Sequence, residues 1–180
     1  MMRLVNLWAV LGLACLAGCT TVSSIEPMGE RPKPVLEKEW EGTWLHQDQP
    51  VLVRVSDPEQ GLIEVAWVEE KQGALRLESY RIALRESGDW TFGNVRETDQ
   101  PGRSYWGVLR KEPAQLVLWT PDPERCATLV KGGVIPGTVE AGGDVILERL
   151  TPGQTLRTVS GDEGGCLRWT EPVVFFRLGK

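Results

Sequence analysis

Beyond residue 40 the chain is written mostly in a period of two. In VLVRVS the residues Val51, Val53 and Val55 point one way, and in LIEVAWV Ile63, Val65 and Trp67 do so, opposite Glu64. Such alternation marks half-buried β-strands. The stretches between them form turns: DPEQG presets φ at Pro58 and frees it at Gly61, KQG ends on Gly73, and SGDW offers Gly88 and Asp89 as a tight hairpin. Short connections of this kind make sequential strands antiparallel neighbours. In ALRLESYRIALRE the apolar phase shifts between Leu75, Leu77 and Tyr80, Ile82, Leu84, and an extra residue near Glu78, a bulge, would reconcile the halves. Further strands follow in WTFGNVRE, SYWGVLRK and QLVLW, separated by TDQPG and EPA.

Two segments break the alternation. PDPERCATLVKGG puts Asp122 at an N-cap, Pro123 at the first helical position and Gly132 at the stop, which predicts a short helix. TPGQTLRTVSG spaces Thr151 and Gln154 as a capping box. DVILERL and PVVFFRL supply two more strands, the last nearly all apolar, as a strand with both faces covered would be. The prediction is an all-β, mainly antiparallel fold: an up-and-down barrel of about eight to nine strands with two short helices. Closing the meander on itself would also remove its exposed edges.

The first residues follow a different rule. Leu4 to Gly18 is apolar behind the basic Arg3, yet shorter than the run of about 20 residues that a membrane-crossing helix needs. It reads as an export signal, with the small Ala17 and Gly18 ahead of the cut. LAGC, Leu16 to Cys19, resembles the lipobox of bacterial lipoproteins. The resemblance implies a diacylglyceryl group on the Cys19 thiol, cleavage just before it, and acylation of the new amine. It also implies delivery to the outer membrane, because Thr20 rather than an aspartate follows. Two or three acyl chains anchor stably, at about 0.8 kcal/mol per buried CH₂. Thr20 to Glu39, polar and rich in proline, reads as a flexible tether spanning roughly 25 Å. The expected organisation is a lipoprotein signal peptide over 1–18, a lipidated N-terminus and tether over 19–39, and a β-barrel domain over 40–180.

Composition narrows the chemistry. Acidic residues outnumber basic ones 25 to 20 with no basic cluster, which excludes the electrostatic footprint of a nucleic-acid binder. Of four cysteines, Cys126 and Cys166 remain beyond the signal and Cys19. An oxidising compartment favours a bridge between them, the alternative being two separate buried thiols. A bridge would close a loop of about 40 residues and stabilise by about 4 kcal/mol. A metal site is disfavoured, since no histidine lies near either cysteine. His46, the single histidine, reads as a polar residue at a strand end, and no GxSxG, HExxH, P-loop or GxGxxG occurs. Glu69 and Glu70 read as a solvated turn. Asp162 and Glu163 in GDEGG fall short of the roughly six to eight oxygens calcium takes. No catalytic residue, metal or cofactor is expected.

Eight tryptophans stand against three phenylalanines and two tyrosines. Several buried indoles suit either a core or a cavity wall. Trp67 shares a face with Ile63 and Val65, whereas Trp119, just before TPDP, stands at a strand end where a rim is expected. Trp67, Trp106 and Trp119 are the candidate ligand-binding residues. GTW, Gly42 to Trp44, resembles the first-strand G-x-W of lipocalins, and Arg177 in the final strand matches that family's barrel-floor arginine. The resemblance implies that Gly42, Trp44 and Arg177 form the floor, with the cation stacked on the indole for about 0.5 to 2 kcal/mol. The expected function is that of a lipid-anchored, periplasm-facing protein of the cell envelope that binds, without catalysis, a small apolar ligand or an envelope partner. The alternative is a solid barrel acting through protein contact.

Overall fold

The computed structural model describes residues 20–71, 73–96, 102–160 and 165–179. The stretch expected to be a signal peptide, Cys19 as the expected site of lipid attachment, and Asp162 and Glu163 lie outside the described residues. In chain order the elements are β1 (Val22–Ser24), β2 (Arg31–Pro32), α1 (Glu37–Trp40), β3 (Gly42–His46), β4 (Gln49–Asp57), β5 (Leu62–Lys71), β6 (Ala74–Ser87) and β7 (Trp90–Arg96). They continue with β8 (Ser104–Lys111), β9 (Gln115–Trp119), α2 (Pro123–Lys131), β10 (Gly137–Val139), β11 (Val145–Leu147), α3 (Pro152–Val159) and β12 (Val173–Arg177).

The strands β3 to β9 run as an antiparallel meander, and β12 pairs antiparallel with both β9 and β3. This closes an eight-stranded barrel, with, among the described residues, four further strands and three short helices outside it. Closure follows from the alternation: Trp44, Val51, Val55, Ile63, Val65, Trp67, Leu84, Leu109, Leu118 and Phe175 all point inward and pack as one apolar core. The β3–β4 turn is made by Gln47 and Asp48, both with positive φ (48° and 65°). That left-handed pair matches the twist of the flanking strands.

The two longer of these helices, α2 and α3, start where the local chemistry places them. Asp122 accepts from the N–H groups of Glu124 (2.9 Å) and Arg125 (3.2 Å), with Pro123 behind it in the first turn. Thr151 and Gln154 form a reciprocal capping box. These helices pack with β1, β10 and β11 against the outside of the β7–β8 wall. There Phe92, Trp106 and Val108 meet Val22, Met28, Cys126, Val145, Leu147, Val159, Cys166 and Leu167 in a second core. The wall therefore has apolar material on both sides.

Four expectations are corrected. The stretch 20–39 is not a tether as a whole: β1 pairs with β8 and β11, β2 pairs with β6, and Val22, Met28 and Val35 are buried. Its few apolar side chains suffice because both cores supply the opposite surface. The β5–β6 register runs without interruption from Leu62↔Ala83 to Lys71↔Ala74, so no bulge sits near Glu78; the irregular step lies in β4, between Val55 and Asp57. DVILERL contributes only β11, which belongs to the second layer and not to the barrel. The final strand is not covered on both faces, since Phe176 is 57% exposed.

Candidate functional site

One end of the barrel is shut by α1 and β12. Trp44 and Arg177 are cross-strand neighbours, and the guanidinium carbon stands 5.7 Å from the centre of the Trp44 ring. Arg177 Nη2 also donates to the carbonyls of Lys38 (2.8 Å) and Glu41 (2.6 Å), while Trp44 Nε1 donates to Trp40 O (3.0 Å). The backbone at Gly42 has φ +135°, and a Cβ added there would meet Arg177 Nε and Nη2 at 3.8 and 3.9 Å. Arg177 therefore ties α1 to the last strand. Lys111 lies over the Trp40 ring at 5.9 Å. Burial pushes its pKa below the usual lysine value, Glu39 opposing and Arg177 adding to the shift. His46 closes the β3 end of the interior, its Nδ1 3.0 Å from Val174 O and its ring 5.1 Å from that of Phe175.

The three tryptophans expected to line a ligand cavity do not share one. Trp67 is buried in the barrel core and stacks on Tyr80 at 5.2 Å. Trp106 faces the other way, into the second core beside Phe92 at 6.3 Å. Trp119 is half-buried against Trp169 at 5.2 Å, and Trp169 in turn meets Trp90 at 5.6 Å. Register accounts for the separation, because Trp106 pairs with Asn94 on the outward face of the β7–β8 wall, whose inward positions are Gly93, Gly107 and Leu109. Among the described residues the indole nitrogens of Trp106 and Trp169 are buried without an acceptor.

The second core brings Cys126 and Cys166 together. Both are buried, and their side chains are in hydrogen-bonding contact as free thiols, so no bridge joins them here. Backbone bonds fix the pair: Asp122 N donates to Cys166 O (2.6 Å), Cys126 N to Asp122 O (2.9 Å) and Cys166 N to Thr158 O (2.7 Å). Burial above all, then the hydrogen bond and charge of Cys166 and the charge of Asp122, drives the Cys126 pKa far up, so it stays protonated. Among the described residues no group of three or more His, Cys, Asp or Glu is placed to hold a metal ion.

The features that sequence reasoning missed lie on the outside. An open groove of about 640 Å³ runs over β3 to β6, lined by Thr43, Leu52, Arg54, Glu64, Ala66 and Arg81 among others. These six alternate with the inward Val51, Val55, Ile63 and Trp67 and so belong to the outer face. Leu52 lies between Thr43 and Ala66, and Arg54, Glu64 and Arg81 form a cross-strand row, with Arg81 Nη2 3.3 Å from Glu64 Oε1. Beyond the groove the same face continues through Val68, Leu77 and Leu75, the leucines 69% and 77% exposed. The phase shift at Leu75 and Leu77 was the available signal. It marks leucines turned outward in an unbroken strand. Chemically the face offers apolar contact bordered by an ion row.

Family models, curated proteins and solved structures were compared with this chain, and none matches it.

Proposed function

We propose that this chain is a lipoprotein of the bacterial cell envelope, anchored to the outer membrane through an acylated Cys19 and facing the periplasm, which acts without catalysis by binding a protein on the outside of its barrel. The Leu16 to Cys19 lipobox resemblance supports the anchor. The observation that carries the binding mode is where the apolar side chains go. Trp44, Trp67, Leu84 and Phe175 fill the interior, while Leu52, Val68, Leu75, Leu77 and Phe176 are turned to solvent. A carrier of small apolar cargo would instead turn its aromatic residues toward a shared void. Contiguous exposed apolar surface on a folded domain marks an interaction site. The likeness to lipocalins is kept for architecture alone, on the stacking of Arg177 over Trp44.

Photo-crosslinking residues placed at Leu52 and Val68, with buried Leu109 as control, test the reading in native membranes. Protein adducts are expected from the two outward positions and none from Leu109. A small molecule co-purifying in stoichiometric amount, with no protein adduct, would overturn it. For the anchor, Cys19→Ser is expected to abolish labelling by a fatty-acid probe, and persistent labelling would refute acylation at that residue.

A further inference from the structure

The β5–β6 hairpin outruns the barrel. β4 covers β5 from Leu62 to Trp67, and β7 covers β6 from Ile82 onward. Residues 74–81 of β6 therefore carry β5 on one side and, among the described residues, no strand on the other. Two strands alone are marginal in water, and folded proteins blunt a free edge with proline, a bulge or inward charges. Here the edge has no proline and its register is unbroken; its charges Arg76 and Glu78 stand on the same side of the sheet as the inward Trp67, and Leu75 and Leu77 are exposed on its outer face.

The sequence of this edge, Ala74-Leu-Arg-Leu-Glu-Ser-Tyr-Arg81, is complementary to itself when run antiparallel about Leu77. That register sets Leu77 against Leu77, Arg76 against Glu78 in both directions, and Leu75 against Ser79. Val68 is the cross-strand neighbour of Leu77 in β5, so a continuous apolar row Val68, Leu77, Leu77, Val68 would cross four strands. On the opposite face Arg76, which stands beside Glu69 of its own β5, would lie between two carboxylates. Arg76 and Glu78 form no ion pair with each other within one chain, being two positions apart on one strand face with Leu77 between them. We infer that the β6 edge is a dimerisation strand that takes a second copy of this chain in antiparallel register about Leu77. The inference rests on the reading that the protein works through the outside of its barrel, and it names the partner.

Sedimentation velocity of the full chain over a concentration series tests it. Wild type is expected to sediment as a dimer. Leu77→Lys places like charges across the axis, and Arg76→Glu places carboxylate against carboxylate; both are expected to give monomers with the wild-type far-ultraviolet circular dichroism, and with an unfolding midpoint that no longer rises with protein concentration as the dimer's should. Adding Glu78→Arg to Arg76→Glu restores the opposite-charge pairing and is expected to recover the dimer. Leu77→Cys should yield a disulfide-linked dimer on mild oxidation, and Leu52→Cys should not. A wild type that remains monomeric up to about 0.1 mM, or a charge-swapped double variant no better than Arg76→Glu alone, overturns the inference. A monomeric wild type that still crosslinks to another protein at Leu52 or Val68 removes the second copy and leaves the contact reading standing. A monomer without any protein adduct removes both.

Discussion

Replacing Gly61 by alanine is expected to destabilise the protein far more than the same change at Gly73, although both glycines have positive φ (+63° and +78°) and both close hairpins. At Gly73 an added Cβ meets nothing within 4 Å, so the cost is the left-handed backbone alone, about 1 to 2 kcal/mol. At Gly61 the Cβ would stand 2.2 Å from Lys33 O and 2.9 Å from Leu84 O. Neither carbonyl is free to retreat. Lys33 N donates to Leu84 O (3.0 Å), Leu84 N to Gly61 O (2.8 Å) and Val35 N to Pro58 O (2.9 Å), which locks the N-terminal segment, the β4–β5 turn and β6 together. Relieving the clash means giving up one or two of these bonds, at about 1 to 3 kcal/mol for each buried group left unpaired. With the backbone term, Gly61→Ala should cost about 3 to 5 kcal/mol. At about 2 to 4 °C per kcal/mol for a chain of this size, the unfolding midpoint should fall by about 6 to 20 °C, against about 2 to 8 °C for Gly73→Ala. Urea unfolding and thermal melts of the two variants measure this directly, and tryptic cleavage after Lys38 should accelerate only in Gly61→Ala, Arg31 and Lys33 each being followed by proline. Equal losses at the two positions would show that residues 33–35 do not dock on the barrel, and would return the segment to the status of a linker.

Refolding of the unfolded chain, its thiols then accessible, with a disulfide-exchange partner that takes up two electrons and two protons is expected to join Cys126 to Cys166, close a loop of about 40 residues and raise stability by about 4 kcal/mol; intact mass with and without reductant, paired with melting curves, measures both. Arg177→Met removes the cation from Trp44 and two carbonyl bonds, and should cost about 2 to 4 kcal/mol in urea unfolding, with Arg177→Lys recovering part. Glu86 accepts from Arg31 Nε at 2.7 Å and Lys33 Nζ at 3.4 Å. The Arg31 bond holds its carboxyl below the ordinary 4.5, burial opposing and Lys33 assisting. A depressed carboxylate stabilises above its unfolded value and loses that contribution as pH falls through the folded one. The melting-point gap between wild type and Glu86→Gln should therefore be widest near neutrality and close as the solution is acidified below 4.5; a gap independent of pH would contradict the assignment.

What the sequence made legible was whatever depends on neighbours along the chain. The alternation in β4 and β5, and the caps at Asp122 and Thr151, need only a few residues to be recognised. The second core was hidden because its members come from both ends of the chain: Val22 meets Val145, and Met28 N donates to Asn94 Oδ1 at 2.6 Å. Three-residue strands such as β1 have no period to read. One clue was present, since in SYWGVLRK the run from Trp106 to Leu109 is buried at every position, the mark of a strand covered on both faces. For the tryptophans, residue type forecast burial but not direction. Trp67 and Trp106 differ by an odd number of register steps across the sheet and so lie on opposite sides of it.

The abrupt start of the fold sets how far an acylated protein could reach. Thr21 is already pinned, its N–H and hydroxyl both donating to Asp144 Oδ1 (2.7 and 3.0 Å), and β1 begins at the next residue. Two residue steps, through Thr20 alone, take the chain from Cys19 to that clasp, at most about 7 Å when stretched. With fatty acids on Cys19 the domain would stand on the bilayer as on a short foot, without a leash on which to swing. Its partners would have to arrive close to the lipid surface, because the barrel has no slack with which to search for them.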